Sequence, residues 1–218
     1  MNLNEIRWLR RTVYIWRNIR NKHSCLAGKN NRIINHGGIR VESRIQISGD
    51  GNRIILEKGC VLLNSLVIIQ GNNNEIVLKE NSYISGAELW IEDDGCVLSV
   101  GKRTFVGHHS HLACTESGRK LIIGDDSMLS SYVQVRTGDS HSILDLDGNR
   151  INQAQSVSIG NHCWLGSRAE VMKGVTLEGD VIVSSGAIVT KSFGRNVLIG
   201  GIPAKVLREN VTWDSKRL

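Results

Sequence analysis

The chain has 218 residues, 40% hydrophobic and 22% charged, with 23 glycines and one proline. No stretch reaches the roughly 18–20 apolar residues that cross a bilayer as a helix, and residues 1–22 lack the apolar run and cleavage site of a secretory leader. Five cysteines, an odd number with no CxxC, argue against a disulfide framework or zinc ribbon and for a reducing, cytoplasmic setting.

The net charge of +6 sits mostly at one end. Arg7, Arg10, Arg11, Arg17, Arg20 and Lys22 stand against Glu5, so residues 1–22 carry +5 and the other 196 carry +1. The basic balance therefore describes one segment and not a nucleic-acid-binding surface. Leu3, Ile6, Leu9, Val13, Trp16 and Ile19 recur among these charges at helical spacing, which predicts a basic amphipathic helix over residues 1–24. Such a stripe packs on the rest of the protein or on a neighbouring subunit. The alternative is peripheral contact of residues 1–22 with an anionic membrane surface.

Residues 25–213 read as a repeat, with a short tail at 214–218. Leu56-Glu-Lys-Gly-Cys-Val-Leu62 aligns with the blocks 78–84, 100–106, 123–129 and 159–165, in steps of 22, 22, 23 and 36 residues. Each block begins and ends on an aliphatic residue six positions apart. From Ile159 to Val189 the beat is unbroken: Ile159, Leu165, Val171, Leu177, Val183, Val189. A period of six fits neither a helix stripe nor a long strand. It fits short strands turning corners in stacked coils, so the predicted fold is an all-β parallel β-helix. Gly49-Asp-Gly-Asn52, Gly71-Asn-Asn-Asn74 and Glu92-Asp-Asp-Gly95 supply the corners. Cys60, Ser82, Thr104, Ser127 and Cys163 have the size of a tight bend, which makes Cys163 a core residue and not a nucleophile. The step of 36 places a polar excursion at 137–156, and a long loop on a rigid scaffold is a usual place for function.

Ile159-Gly-Asn-His-Cys-Trp-Leu-Gly-Ser-Arg-Ala-Glu-Val-Met-Lys-Gly-Val-Thr176, Gly186-Ala-Ile-Val-Thr-Lys191 and Gly200-Gly-Ile-Pro-Ala-Lys-Val-Leu-Arg208 resemble the hexapeptide-repeat acyltransferases. Arg136-Thr-Gly-Asp-Ser-His141 resembles their catalytic histidine segment, and with Glu209-Asn-Val-Thr-Trp213 the pattern is most similar to the capsule and polysialic acid O-acetyltransferases. The resemblance implies a left-handed β-helix, a homotrimer with active sites between subunits, acetyl-CoA as cosubstrate, and a sugar or polysaccharide hydroxyl as acceptor. An N-acetyltransferase of an amino sugar and a zinc hydratase of the carbonic anhydrase kind on the same fold are the alternatives.

Acetyl transfer to an alcohol needs a base, donors for the developing oxyanion and a slot for the thioester. The resemblance assigns the base to His141, with Asp139 as an orienting carboxylate and Trp164 as a wall of the site. Trp164 also occupies the position of Val61, Tyr83, Phe105 and Met128 in earlier blocks, as a ladder rung would. The backbone N–H of Gly166 or Ser167 is the expected oxyanion donor. Ser167, Ser185 and Gly186 match the small residues along which pantetheine lies. Thr190 and Lys191 match the Thr-Lys pair, and Lys205 and Arg208 are placed to meet CoA phosphates. The prolines that follow Thr-Lys in relatives are absent, Ser192-Phe-Gly-Arg195 standing there. In a strand, His108 would face away from His109 and His111, so no metal site is predicted. These three are assigned to the acceptor cleft.

Overall fold

The structure, a computed structural model, describes residues 24–216. The basic segment at 1–22 lies outside the described residues, and Ser24 already belongs to the first strand, Ser24–Ala27. Among the described residues every regular element is a β-strand. One turn of the coil is Leu66–Gln70, Glu75–Leu78 and Tyr83–Ser85. The next is Glu88–Glu92, Val97–Val100 and Phe105–Val106, each paired in parallel with its predecessor. Repetition builds three sheets of eight, seven and nine strands, the last ending in an antiparallel hairpin of Val197–Gly201 and Ala204–Glu209.

The aligned blocks are the register itself. Leu56 pairs with Leu78, Leu78 with Val100, Val100 with Ile123 and Ile123 with Ile159. At the other end of each block Leu62, Ile84, Val106, Leu129 and Leu165 pair in sequence. All are buried, as are Val171, Leu177, Val183 and Val189 of the six-residue beat. Each inward aliphatic contributes about 1.5–3 kcal/mol of burial, and only stacking makes that burial complete.

Polar ladders at the corners replace hydrogen bonds that bent backbone would lose. Buried Asn52 accepts from the Asn74 N–H (2.9 Å), and Asn74 from the Cys96 N–H (2.8 Å). Thr104 accepts from the Ser127 N–H (3.1 Å), and Ser127 from the Cys163 N–H (3.0 Å). Burial pushes the Cys163 thiol up to about 11, which suits a core residue and not a nucleophile. All five cysteines are free thiols, and only Cys25 is exposed.

Gly101, Gly124 and Gly160 stack where successive coils approach closely. A methyl group on Gly124 would lie 2.5 Å from the Gly160 carbonyl carbon. Gly124→Ala is expected to cost about 1–3 kcal/mol, read as a lower urea midpoint with an unchanged m-value. Among the described residues no helix is long and apolar enough to cross a membrane.

Candidate active site

The excursion of residues 137–156 leaves the coil after Gln134–Arg136 and rejoins it at Val157–Asn161. Its root is tied to the coil below: the Thr137 hydroxyl donates to the Thr115 carbonyl (2.9 Å) and accepts from the Thr115 N–H (2.8 Å). The tip is a small hairpin. The Asp145 carboxylate accepts from the N–H groups of Asp147 (3.0 Å) and Asn149 (2.8 Å), and Leu144 bridges Arg150. Ile143, Leu144, Leu146 and Ile151 are exposed on it, Leu146 completely.

Between root and tip sits a polar clamp. Asn152, 5% exposed, donates through Nδ2 to the Asp139 carboxylate (2.9 Å) and to the His141 carbonyl (2.8 Å). Its Oδ1 accepts from the Ile143 N–H (2.8 Å) and from Arg150 Nε (3.1 Å). Lys173, from the following coil, pairs with the Asp139 carboxylate and donates to the Asn152 carbonyl (2.9 Å). Arg150 pairs with Glu116, whose other oxygen accepts from the Ala154 N–H (3.1 Å). The Lys173 ammonium holds the Asp139 carboxyl below its ordinary range, and the Arg150 guanidinium does the same for Glu116.

The hydrogen bonds of Asp139 thus go to Lys173 and Asn152, and the bond that positions His141 is made by its backbone carbonyl. The imidazole is exposed. Sequence reasoning missed Asn152, Lys173, Glu116 and Arg150. For Arg150 and Asn152 the signal was an unusual concentration of polar and charged residues in a segment that breaks the six-residue beat; Glu116 and Lys173 lie outside that segment and gave none.

The remaining candidates fall into separate groups. Trp164 is both a rung and a surface: it pairs with Met128 and Ile182, remains 36% exposed, and its indole N–H donates to the Ser130 hydroxyl (3.3 Å). Ser167 and Gly186 stack at the corner between the third and first sheets, the Gly186 N–H donating to the Ser167 carbonyl (2.9 Å), with Ser185 beside them. A side chain at Gly186 would meet nothing within 4 Å, so the candidate slot of Ser167, Ser185 and Gly186 is open at its Gly186 end. The Gly166 N–H is spent on the Val183 carbonyl (2.8 Å), which removes it as an oxyanion donor; no described backbone hydrogen bond takes the Ser167 N–H. Thr190 and Lys191 follow the last strand of the first sheet, at the same corner as the excursion, with Lys191 Nζ 5.6 Å over the Phe193 ring. Lys205 and Arg208 lie exposed on the terminal hairpin. Within one chain, therefore, His141 and the slot occupy different corners of the triangle.

Sequence reasoning also missed a second cluster. Trp213 stacks on His162 (4.7 Å, 10° between planes) and donates to the His162 carbonyl (2.9 Å), while His162 Nδ1 lies 2.8 Å from the Asp180 carboxylate. Trp213 also reaches Trp164, at 5.9 Å between ring centroids. The strand expected to carry three histidines holds only His111; His108 and His109 sit on the corner before it, His108 within 3.2 Å of the Ser85 hydroxyl.

Three flat parallel sheets closed by a six-residue aliphatic beat, with one long excursion and a corner of small residues, define a hexapeptide-repeat β-helix protein. Residues 156–191 match the family model described as the hexapeptide repeat of succinyl-transferase. The chain is 32% identical over 123 residues to the polysialic acid O-acetyltransferase of Neisseria meningitidis, covering 56% of each. It is 30% identical over 135 residues to that of Escherichia coli O1:K1 / APEC, covering 62% of this chain and 43% of that protein. In these alignments it spans about half the length of the curated relatives it matches. The crystal structure of the polysialic acid O-acetyltransferase OatWY superposes with a TM-score of 0.84 at 31% identity, covering 89% of this chain and 92% of that one. That of the polysialic-acid-specific acetyltransferase NeuO superposes at 0.77 and 28%, covering 88% and 82%. The chain belongs to the hexapeptide-repeat acyltransferases, in the company of the polysialic acid O-acetyltransferases.

Proposed function

We propose that the protein transfers an acetyl group from acetyl-CoA to a hydroxyl of a cell-surface polysaccharide sugar. The observation that carries this is the clamped excursion: it presents an exposed His141 from a rigid root, on a coil shared along nearly its whole length with OatWY. In the reaction His141 removes the hydroxyl proton as the acceptor oxygen attacks the thioester carbonyl. The new C–O bond forms, the C–S bond breaks, and the departing thiolate takes the proton back from the imidazolium. The Ser167 N–H stabilises the carbonyl oxygen as it becomes an oxyanion. Ser167, Ser185 and Gly186 line the pantetheine slot, and Thr190, Lys191, Lys205 and Arg208 serve the remainder of CoA. Trp164, braced by Trp213, walls the reacting centre. Asp139 acts on the backbone of the His141 segment through Asn152 and Lys173.

Two corners of one chain are joined when the excursion of one copy reaches the small-residue corner of the next. A homotrimer does this three times over, and it covers Ile143, Leu144, Leu146 and Ile151, which are bare on the single chain. The free thiols suit the cytoplasm, with residues 1–22 available for packing or for peripheral contact with anionic lipid.

Acetyl transfer to surface glycans, with the product scored as base-labile ester or base-stable amide, tests the activity. The shared site has a sharper check. His141→Ala and Ser167→Trp, each inactive alone, are expected to regain about a quarter of wild-type activity when unfolded and refolded together at equal amounts, the fraction of intact interfaces in random trimers. No recovery in a mixture that forms trimers would show that the site lies within one chain.

A further inference from the structure

At the corner that holds Ser167 and Gly186, one residue per coil takes the left-handed conformation: Glu42, Asn64, Gly86, His109, Tyr132, Arg168 and Gly186. Backbone hydrogen bonds fix their order, the His109 N–H donating to the Gly86 carbonyl (2.7 Å), that of Tyr132 to His108 (2.8 Å) and that of Arg168 to Ser131 (3.1 Å). The upper half of this column is filled by stacked side chains. The Arg168 guanidinium lies 5.6 Å over the Tyr132 ring, and Tyr132 stacks on His109 at 4.8 Å. One coil below, Gly86 ends the stack, the place of its missing side chain being taken by the His108 ring, whose Nδ1 would lie 2.4 Å from a Cβ there. There a cleft of about 450 Å³ opens, lined by Arg44, Asn64, Glu88, His109 and His111 among others.

We propose that this cleft binds a sugar ring of the acceptor glycan, remote from the unit that is acetylated. The inference rests on the acetyltransferase reading and deepens it, because it gives a second ring of the polymer its own place on the protein. Gly86 stands three coils below Ser167, roughly 14 Å at the spacing of parallel strands, which one monosaccharide does not span. The cleft has the volume of a small-molecule site. Its chemistry is that of a carbohydrate subsite. The His109 face turned away from Tyr132 offers a plane for the C–H face of a pyranose. The Glu88 carboxylate accepts from neighbouring hydroxyls, and the Arg44 guanidinium donates to ring substituents or to a sugar carboxylate. No hydrogen bond or ion pair engages the side chain of either residue among the described residues. Burial lowers the basicity of His111, which keeps it neutral and able both to donate and to accept. Trp90 fixes that ring edge-on at 6.4 Å.

The test is binding of an array of bacterial surface glycans, printed in short and long forms, to the intact His141→Ala protein. Longer forms of at least one glycan are expected to bind about tenfold more tightly than short forms. Arg44→Ala with Glu88→Ala removes that gain, and His109→Asn, which tolerates the left-handed backbone and takes away the ring face, removes it independently. KM for acetyl-CoA in the otherwise wild-type protein stays unchanged. Binding that is indifferent to chain length, a long glycan bound equally well by the Arg44/Glu88 variant, or no glycan bound at all overturns the proposal. Length-dependent binding without any acetyl transfer by the wild-type protein would leave the subsite standing and overturn the acetyltransferase reading instead.

Discussion

Replacing His141 with alanine is expected to lower acetyl transfer by about 10²- to 10⁴-fold, with CoA affinity and thermal stability unchanged. The stability half of this expectation follows from the structure. The His141 side chain is exposed, and the residue's anchoring hydrogen bond is made by its backbone carbonyl, which alanine retains. The activity half follows from the role of general base, since nothing in the thioester or the slot deprotonates an alcohol. Steady-state kinetics with acetyl-CoA and an acceptor glycan, beside equilibrium CoA binding, separate the two. A variant that transfers acetyl at the wild-type rate would remove His141 from the mechanism.

The second large effect is expected at a residue that touches neither substrate. Asn152→Ala takes away four hydrogen bonds at once: two donated to Asp139 and the His141 carbonyl, and two accepted from the Ile143 N–H and Arg150. The excursion then loses its fixed geometry, and kcat is expected to fall about 10²-fold, the scale on which small misplacement of a reacting group acts. KM for acetyl-CoA stays near its original value, since the slot lies at another corner. Lys173→Met weakens the same clamp from outside, and Lys173→Arg, which can still pair with Asp139, restores part of the loss. An unchanged kcat in Asn152→Ala would show that the clamp only decorates the loop.

The clamp also has a pH dependence of defined sign. Lys173 holds the Asp139 carboxyl below its ordinary range, so the folded state binds that proton less readily than the unfolded chain does. The resulting stabilisation is fully present above the unfolded carboxylate pKa and is lost as pH falls through the depressed folded value. Protection factors for amide exchange in residues 139–152 are therefore expected to fall in acid, below the ordinary carboxylate range. Asp139→Asn reduces that acid dependence, and the Glu116–Arg150 pair supplies the rest.

Much of this molecule can be read locally. The blocks beginning at Leu56, Leu78, Val100, Ile123 and Ile159 are the register partners of the structure, because each coil is built from neighbouring residues and stacks on a near copy of itself. The break in the beat marked the excursion for the same reason: a segment that cannot supply an inward aliphatic residue every sixth position must leave the coil. His141 and Trp164 were legible only as members of a motif. The pairings within the clamp were not legible, since Asp139 meets Lys173 across 34 residues and Glu116 meets Arg150 across the same separation. Nor was the strap that lays Trp213 on His162, 51 residues away.

The amino-acid sequence by itself determined the coil, its stacking register and the place where the excursion departs from it, because a six-residue recurrence of inward side chains is a short-range property. Tertiary structure alone decided which charged groups the loop meets and which corner each candidate occupies. It also decided that the Gly166 N–H is consumed within the coil. These outcomes depend on what the next turn presents 5 Å away, roughly one strand spacing, and a turn of variable length hides that neighbour from any reading along the chain.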